Sequence, residues 1–126
     1  MGVRATNLLL ALGVAACACA DQRPEIELQN ALSRCIEIES TKTYVSGQAL
    51  FVTLTFKTVA STAECGCKSK LSAYTVYAKS DGYDSFMIEG KVLFQQSGKL
   101  ELPLSTDTQI VADRPLLLSL SCAQPD

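Results

Sequence analysis

Ala49-Leu50-Phe51-Val52-Thr53-Leu54-Thr55-Phe56-Lys57-Thr58 alternates without a fault. Leu50, Val52, Leu54 and Phe56 fall on one side, and Thr53, Thr55 and Lys57 on the other. A period of two held over ten residues is a β-strand with one buried face, because successive side chains of an extended chain point to opposite sides. The same period recurs downstream. Ser72 to Lys79 carries Tyr74, Val76 and Ala78 in phase, and Asp81-Gly82 then marks a hairpin. Ser85 to Gln95 sets Phe86, Ile88, Val92 and Phe94 on one face, with Met87, Glu89, Lys91 and Gln95 on the other. Gly90 within that run implies a bulge or a close backbone approach. Gln96-Ser97-Gly98-Lys99 turns the chain, and Leu100, Leu102 and Leu104 alternate after it. Pro115 opens a last run with Leu116, Leu118, Leu120 and Cys122 in phase. Upstream, Ile26 and Leu28 alternate with Glu25 and Glu27, and Ile36 and Ile38 with Glu37 and Glu39. Gln29 to Arg34 between them reads as a helical turn or a bend. About seven short strands with turn signals between them predict an all-β fold, an antiparallel immunoglobulin-like β-sandwich, with a small barrel as the alternative. Burial of the one-sided faces drives assembly at about 25 cal/mol per Å² of apolar area.

The first twenty residues have a different composition. Arg4 is their only charge, and Leu8 to Ala16 is apolar but too short to span a bilayer. Ala18-Cys19-Ala20 offers small residues for cleavage before Asp21, which makes residues 1–20 a signal peptide and 21–126 a single domain. Val14-Ala15-Ala16-Cys17 also looks like a bacterial lipobox, in which Cys17 would carry lipid. Both readings export the protein across the inner membrane, to a periplasmic or secreted location or to an outer-membrane lipoprotein. No later segment is long or apolar enough for a transmembrane helix. The exported part has thirteen acidic and ten basic residues, a net charge of about −3. It has no basic patch interleaved with aromatics, so nucleic-acid binding is not expected.

Four cysteines remain after export: Cys35, Cys65, Cys67 and Cys122. If the strands from Cys35 onward alternate in direction, all four fall at one end of the domain. In an oxidising compartment the simplest outcome is two disulfides. A Cys65–Cys67 bond would close a small strained ring. The expected pattern therefore ties one of these sulfurs to Cys35 and the other to Cys122, in an order the sequence leaves open. Gly66 fits two adjacent bridges, because the chain between them needs an unusual backbone. Two other chemistries compete. Thiolates of Cys65 and Cys67 would suit copper(I) or zinc, although the chain has no histidine to complete a usual mixed site. A thiol-exchange role would draw on Lys68 and Lys70 to lower the thiol pKa, but Cys-x-Cys is not the thioredoxin-type spacing and no helix is predicted after Cys67.

Other catalytic chemistries have few residues to draw on. Without histidine there is no Ser-His-Asp triad and no Cys-His pair. The pairs Glu25/Glu27 and Glu37/Glu39 sit at strand spacing and read as outward, solvated faces. No glycine-rich phosphate loop occurs, and Gly82, Gly90 and Gly98 are isolated. Tyr44, Tyr74, Tyr77 and Tyr83 are candidates for a ligand patch, with Tyr74 in the core phase and Tyr77 opposite, but the absence of tryptophan argues against a sugar platform. No catalytic residue and no cofactor is expected.

The segments Glu64-Cys-Gly-Cys-Lys-Ser-Lys-Leu-Ser-Ala-Tyr-Thr-Val-Tyr77, Ser33-Arg-Cys-Ile-Glu-Ile-Glu-Ser40 and Arg114-Pro-Leu-Leu-Leu-Ser-Leu-Ser-Cys-Ala-Gln-Pro-Asp126 together resemble a family of small uncharacterised secreted bacterial proteins, a domain of unknown function. The resemblance implies an envelope location with the four cysteines as the hallmark, and it supplies no activity. The resulting expectation is a non-enzymatic envelope domain that binds a protein partner. Its cysteine end would be the rigid end, and contacts are expected beside Cys65 to Lys70 and at Thr106 to Arg114.

Overall fold

The structure is a computed structural model that describes residues 24–125, together with Gly2 and Gly13. The signal peptide expected over residues 1–20, the expected cleavage before Asp21 and the alternative lipidation at Cys17 all fall outside the described residues. Among the described residues seven strands form: β1 (Ile26–Asn30), β2 (Ile36–Ser46), β3 (Ala49–Thr58), β4 (Ser72–Ser80), β5 (Tyr83–Val92), β6 (Gly98–Ser105) and β7 (Leu116–Cys122). One 3-10 turn, Thr62–Cys65, follows β3, and one turn of α-helix, α1 (Thr108–Val111), precedes β7. The sheets have the orders β1-β7-β4-β5 and β2-β3-β6. Four strands against three is also the division in constant-type immunoglobulin domains, though the strand order here is this chain's own.

The core follows from the alternation. Leu50, Val52, Leu54 and Phe56 of β3 face Tyr74, Val76 and Ala78 of β4 and Leu116, Leu118 and Leu120 of β7, all buried. β6 adds Leu102 and Leu104, and β2 adds Ile36. Glu25, Glu27, Glu37 and Glu39 are exposed, as their outward phase requires. Asp81-Gly82 makes the tight β4–β5 turn closed by the pair Ser80↔Tyr83.

Four features differ from the sequence expectation. β2 runs on to Ser46, where a Gly47-Gln48 turn closes a hairpin with the pair Ser46↔Ala49. The polar run Ser40 to Ser46 hides this strand, because only one of its edges is paired and it has little apolar side to bury. The bend expected from Gln29 to Arg34 is there but is shifted: Gln29 and Asn30 belong to β1, and the turns occupy residues 31–35. β1 pairs with β7 in parallel, so the sandwich is not purely antiparallel. The fourth difference is in β5. Val76 faces Ile88 but Tyr77 faces Phe86, so Met87 is an extra residue, a β-bulge that reverses the faces before it. Phe86 is therefore 58% exposed, and Met87 packs against the core. Phe94 is still buried, although β5 has ended before it.

Candidate functional site: the disulfide clamp

The chain leaves β3 under the control of Cys35. The Cys35 carbonyl accepts from the N–H of Val59 at 2.8 Å and of Ala60 at 3.3 Å. Cys35 is itself set by the turn before it: its N–H and that of Ile36 both donate to the Leu32 carbonyl at 2.8 Å. Asn30 braces the same turn, accepting from the Leu32 N–H at 2.9 Å and donating Nδ2–H to the Ile36 carbonyl at 2.7 Å. Ser61 then caps the 3-10 turn by accepting from the Ala63 N–H. Gly66 ends it with φ 89°, a left-handed conformation that costs a side-chain-bearing residue about 1–2 kcal/mol. The Gly66 N–H donates to Ala63 and the Cys67 N–H to Thr62, both at 3.1 Å.

The left-handed step at Gly66 lies between two disulfides. Cys35 is bonded to Cys65, with Cα atoms 6.3 Å apart, and Cys67 to Cys122, with Cα atoms 5.1 Å apart. Both distances lie in the normal range for disulfides. Cys35 leads into the three-stranded sheet and Cys122 ends β7 of the four-stranded sheet. The β3–β4 crossover is thus fastened to each sheet once. The four sulfurs share one end of the sandwich, and the crosswise pairing takes the order 35–65 and 67–122. Cys35 and Cys67 are 1% and 7% exposed, whereas Cys65 and Cys122 are only partly buried. Lys68 and Lys70 are exposed.

The bonds occupy every sulfur that a copper or zinc site at Cys65 and Cys67 would need. Among the described residues, no group of three or more histidine, cysteine, aspartate or glutamate side chains is placed to hold a metal ion. The tyrosines do not gather into one patch. Tyr44 stacks on Phe51 at 5.4 Å outside the three-stranded sheet, and Tyr77 meets Phe86 edge-on at 6.3 Å outside the other. Tyr83 is 66% exposed, and Tyr74 is buried at 5%. Glu101 is hydrogen-bonded to Tyr44; desolvation first, then this bond, raises the Tyr44 pKa.

Thr106 to Arg114 lies at the end away from the cysteines. The Thr108 N–H donates to the Gln48 carbonyl in the β2–β3 turn at 2.8 Å, and Leu116, just after this loop, donates to Glu25. Arg114 ties the loop to the β4–β5 hairpin, reaching Ser80 Oγ at 3.1 Å and the Ile110 carbonyl at 2.7 Å. The two loops singled out in the sequence are therefore separated by the length of β7 and do not form one surface.

Two residues of weight were not singled out in the sequence, Arg114 being named there only as the end of a loop. Arg114 carries no sequence signal beyond its position before Pro115. Ser72 does carry one: it is in the Tyr74, Val76, Ala78 phase, which places a hydroxyl in the core. Its Oγ is buried with no hydrogen-bond partner, and Ser72 pairs directly with Cys122.

Among the described residues, no helix is long and apolar enough to cross a membrane. No curated protein and no solved structure matches the chain. A family model does, over residues 9–125, and its description names no activity. The chain belongs to that family, described as uncharacterized proteins conserved in bacteria (DUF2195).

Proposed function

We propose that this is an exported, non-catalytic domain of the bacterial cell envelope that binds a protein partner, with the disulfide clamp as its rigid end. The carrying observation is the pair of disulfides that converge on Cys65-Gly66-Cys67 and fasten one loop to both sheets. Such bonds form and persist in oxidising compartments, which supports reading residues 1–20 as an export signal, with Cys17 as its lipidated variant. Of the two places where the sequence puts contacts, this reading keeps Thr106 to Arg114, at the end away from the clamp, and drops Cys65 to Lys70, where Lys68 and Lys70 are exposed charges. Tyr83, Phe86, Ile110 and Val45 are each more than half exposed at the far end, and Arg114 and the Thr108 bond hold their loops together. Val59 and Leu93 are the exposed large apolar residues of the clamp end.

Site-specific photocrosslinking in the producing bacterium tests this. A crosslinker at Phe86 or Ile110 should give one discrete protein adduct, and the same group at Lys68 should not. No adduct from either apolar position, or the same adducts from all three, contradicts the reading. Intact mass of the exported protein tests its first part: a start at Asp21 or a lipidated Cys17 supports export, and retention of residues 1–20 contradicts it.

A further inference from the structure

The edge of a sheet offers a row of backbone N–H and C=O groups to any strand that can reach it, and folded proteins normally guard it with a proline, a bulge or a short strand. Among the described residues, three of the four edge strands carry such a guard. β6 has Pro103, which has no N–H to offer. β5 is broken by the bulge at Met87. β1 is five residues long. β2 is different. Its bulge lies between Ile38 and Ser40, and from Ser40 to Ser46 its pairing with β3 is regular. This run has no proline, no glycine and a single charge, Lys42, and Ser40, Thr41, Lys42, Val45 and Ser46 are all exposed. The hairpin fixes which backbone groups face outward. Gly47-Gln48 is a two-residue turn closed by Ser46↔Ala49, with Gly47 at φ 62°. The pair that closes such a turn exchanges hydrogen bonds, and bonded and non-bonded pairs alternate from there. Lys42 and Tyr44 therefore bond to β3, while Thr41 and Val45 turn their N–H and C=O groups to the open edge. The same parity puts Pro103 on the open edge of β6, where its missing N–H breaks no pairing with β3.

We infer that this edge joins a second copy of the chain, β2 against β2, antiparallel about a twofold axis at Thr43. The two three-stranded sheets then become one sheet of six strands. Thr41 stands opposite Val45 of the second copy in a main-chain-bonded pair. Lys42 stands opposite Tyr44 of the second copy in a non-bonded pair, where side chains come closest. Both Lys42 and Tyr44 lie on the outer face, since they pair with Thr53 and Phe51. Charge favours this register. The Lys42 ammonium meets the Tyr44 ring, whose hydroxyl is bonded to the Glu101 carboxylate. Moving the axis to Lys42 would set two lysines face to face, a repulsive pair. Val45, 54% exposed in the single chain, is covered by Thr41 of the second copy. The pairing uses both β2 edges, so assembly closes at two copies. One strand pair is a small contact, so the dimer is weak and depends on concentration. This inference does not rest on the partner surface proposed above.

The test uses the oxidised protein with both disulfides intact. Sedimentation is followed from about 10 μM to about 1 mM, the span in which so small an interface associates. Monomer at the low end and dimer at the high end, with nothing larger, is expected. Amide exchange is read at both ends of that range. Thr41 and Val45 should exchange several-fold more slowly in the concentrated sample, whereas Lys42 and Tyr44, bonded to β3, should be protected in both. Thr41→Pro removes an edge N–H and no β2–β3 bond, and Lys42→Glu replaces the cation with a carboxylate near Glu101. Each should weaken dimerisation about ten-fold or more. If Thr41→Pro melts well below the parent protein, Lys42→Glu decides. The proposal is overturned by a monomer at about 1 mM, by open-ended association, by a dimer in which Thr41 and Val45 exchange as in the monomer, or by a folded variant that dimerises like the parent.

Discussion

At the scale of single residues, two glycines and one tyrosine are most constrained. A Cβ built on Gly90 would stand 2.7 Å from Tyr74 Cε1, so the tyrosine ring lies across the space a side chain would fill. Gly90→Ala forces that buried ring to move, and we expect a loss of about 1–3 kcal/mol in denaturant unfolding. Gly66 has open space around its missing Cβ but a φ of 89°. Gly66→Ala should cost about 1–2 kcal/mol through backbone strain alone. Tyr74 also gives a pH dependence. Burial raises its phenol pKa above 10.0, because the phenolate loses solvation in the core. The unfolded chain therefore releases this proton first, and the stability that Tyr74 contributes is present below pH 10 and lost as pH rises through the folded-state value. Thermal unfolding at pH 9 and pH 11 should show a drop that Tyr74→Phe reduces. An equal drop in both proteins would remove tyrosine as its cause. The sequence marked Gly90 as a bulge or a close approach, and the structure shows the close approach. The bulge is three residues earlier, at Met87, where no glycine advertises it.

At the scale of elements, alternation was legible wherever a strand had a full apolar face. β3, β4, β6 and β7 have that face, and their limits in the structure match the sequence reading within about two residues. β2 was legible only at its start, since its second half exposes Ser40, Thr41, Lys42 and Val45. β5 was found but its phase was half wrong, because a bulge changes parity without changing composition. The loop from Thr106 to Arg114 had no period to read, and its shape depends on distant partners. Arg114→Ala removes the hydrogen bonds to Ser80 and the Ile110 carbonyl and should cost about 1 kcal/mol. Hydrogen exchange should quicken at Ile110 and Arg114 while β7 stays protected. The Lys79–Glu27 ion pair is exposed on both sides, so Glu27→Gln should leave the unfolding midpoint nearly unchanged.

At the scale of the whole molecule, the two disulfides act on loops of different length. The bonds join residues 30 and 55 apart in sequence, for which the chain-entropy model gives about 3.6 and 4.2 kcal/mol. Replacing both Cys35 and Cys65 by serine, or both Cys67 and Cys122, should each lower stability by about 2–5 kcal/mol. The common end of the four cysteines was legible because reversals of strand direction survive uncertainty in strand order. The parallel β1–β7 pair does not disturb it, since β1 precedes Cys35. The order of pairing was not legible, because Cys65 and Cys67 are two residues apart and only the left-handed turn at Gly66 sends them to different sheets.

The most direct measurement is disulfide mapping of the protein isolated from the producing bacterium, digested without reductant and fragmented between Cys65 and Cys67, with thiols and metals counted on the same sample. Peptides joined as Cys35–Cys65 and Cys67–Cys122, with no free thiol and no copper or zinc, are the predicted result. A Cys65–Cys67 link, two or more free thiols, or a stoichiometric metal ion would contradict the clamp.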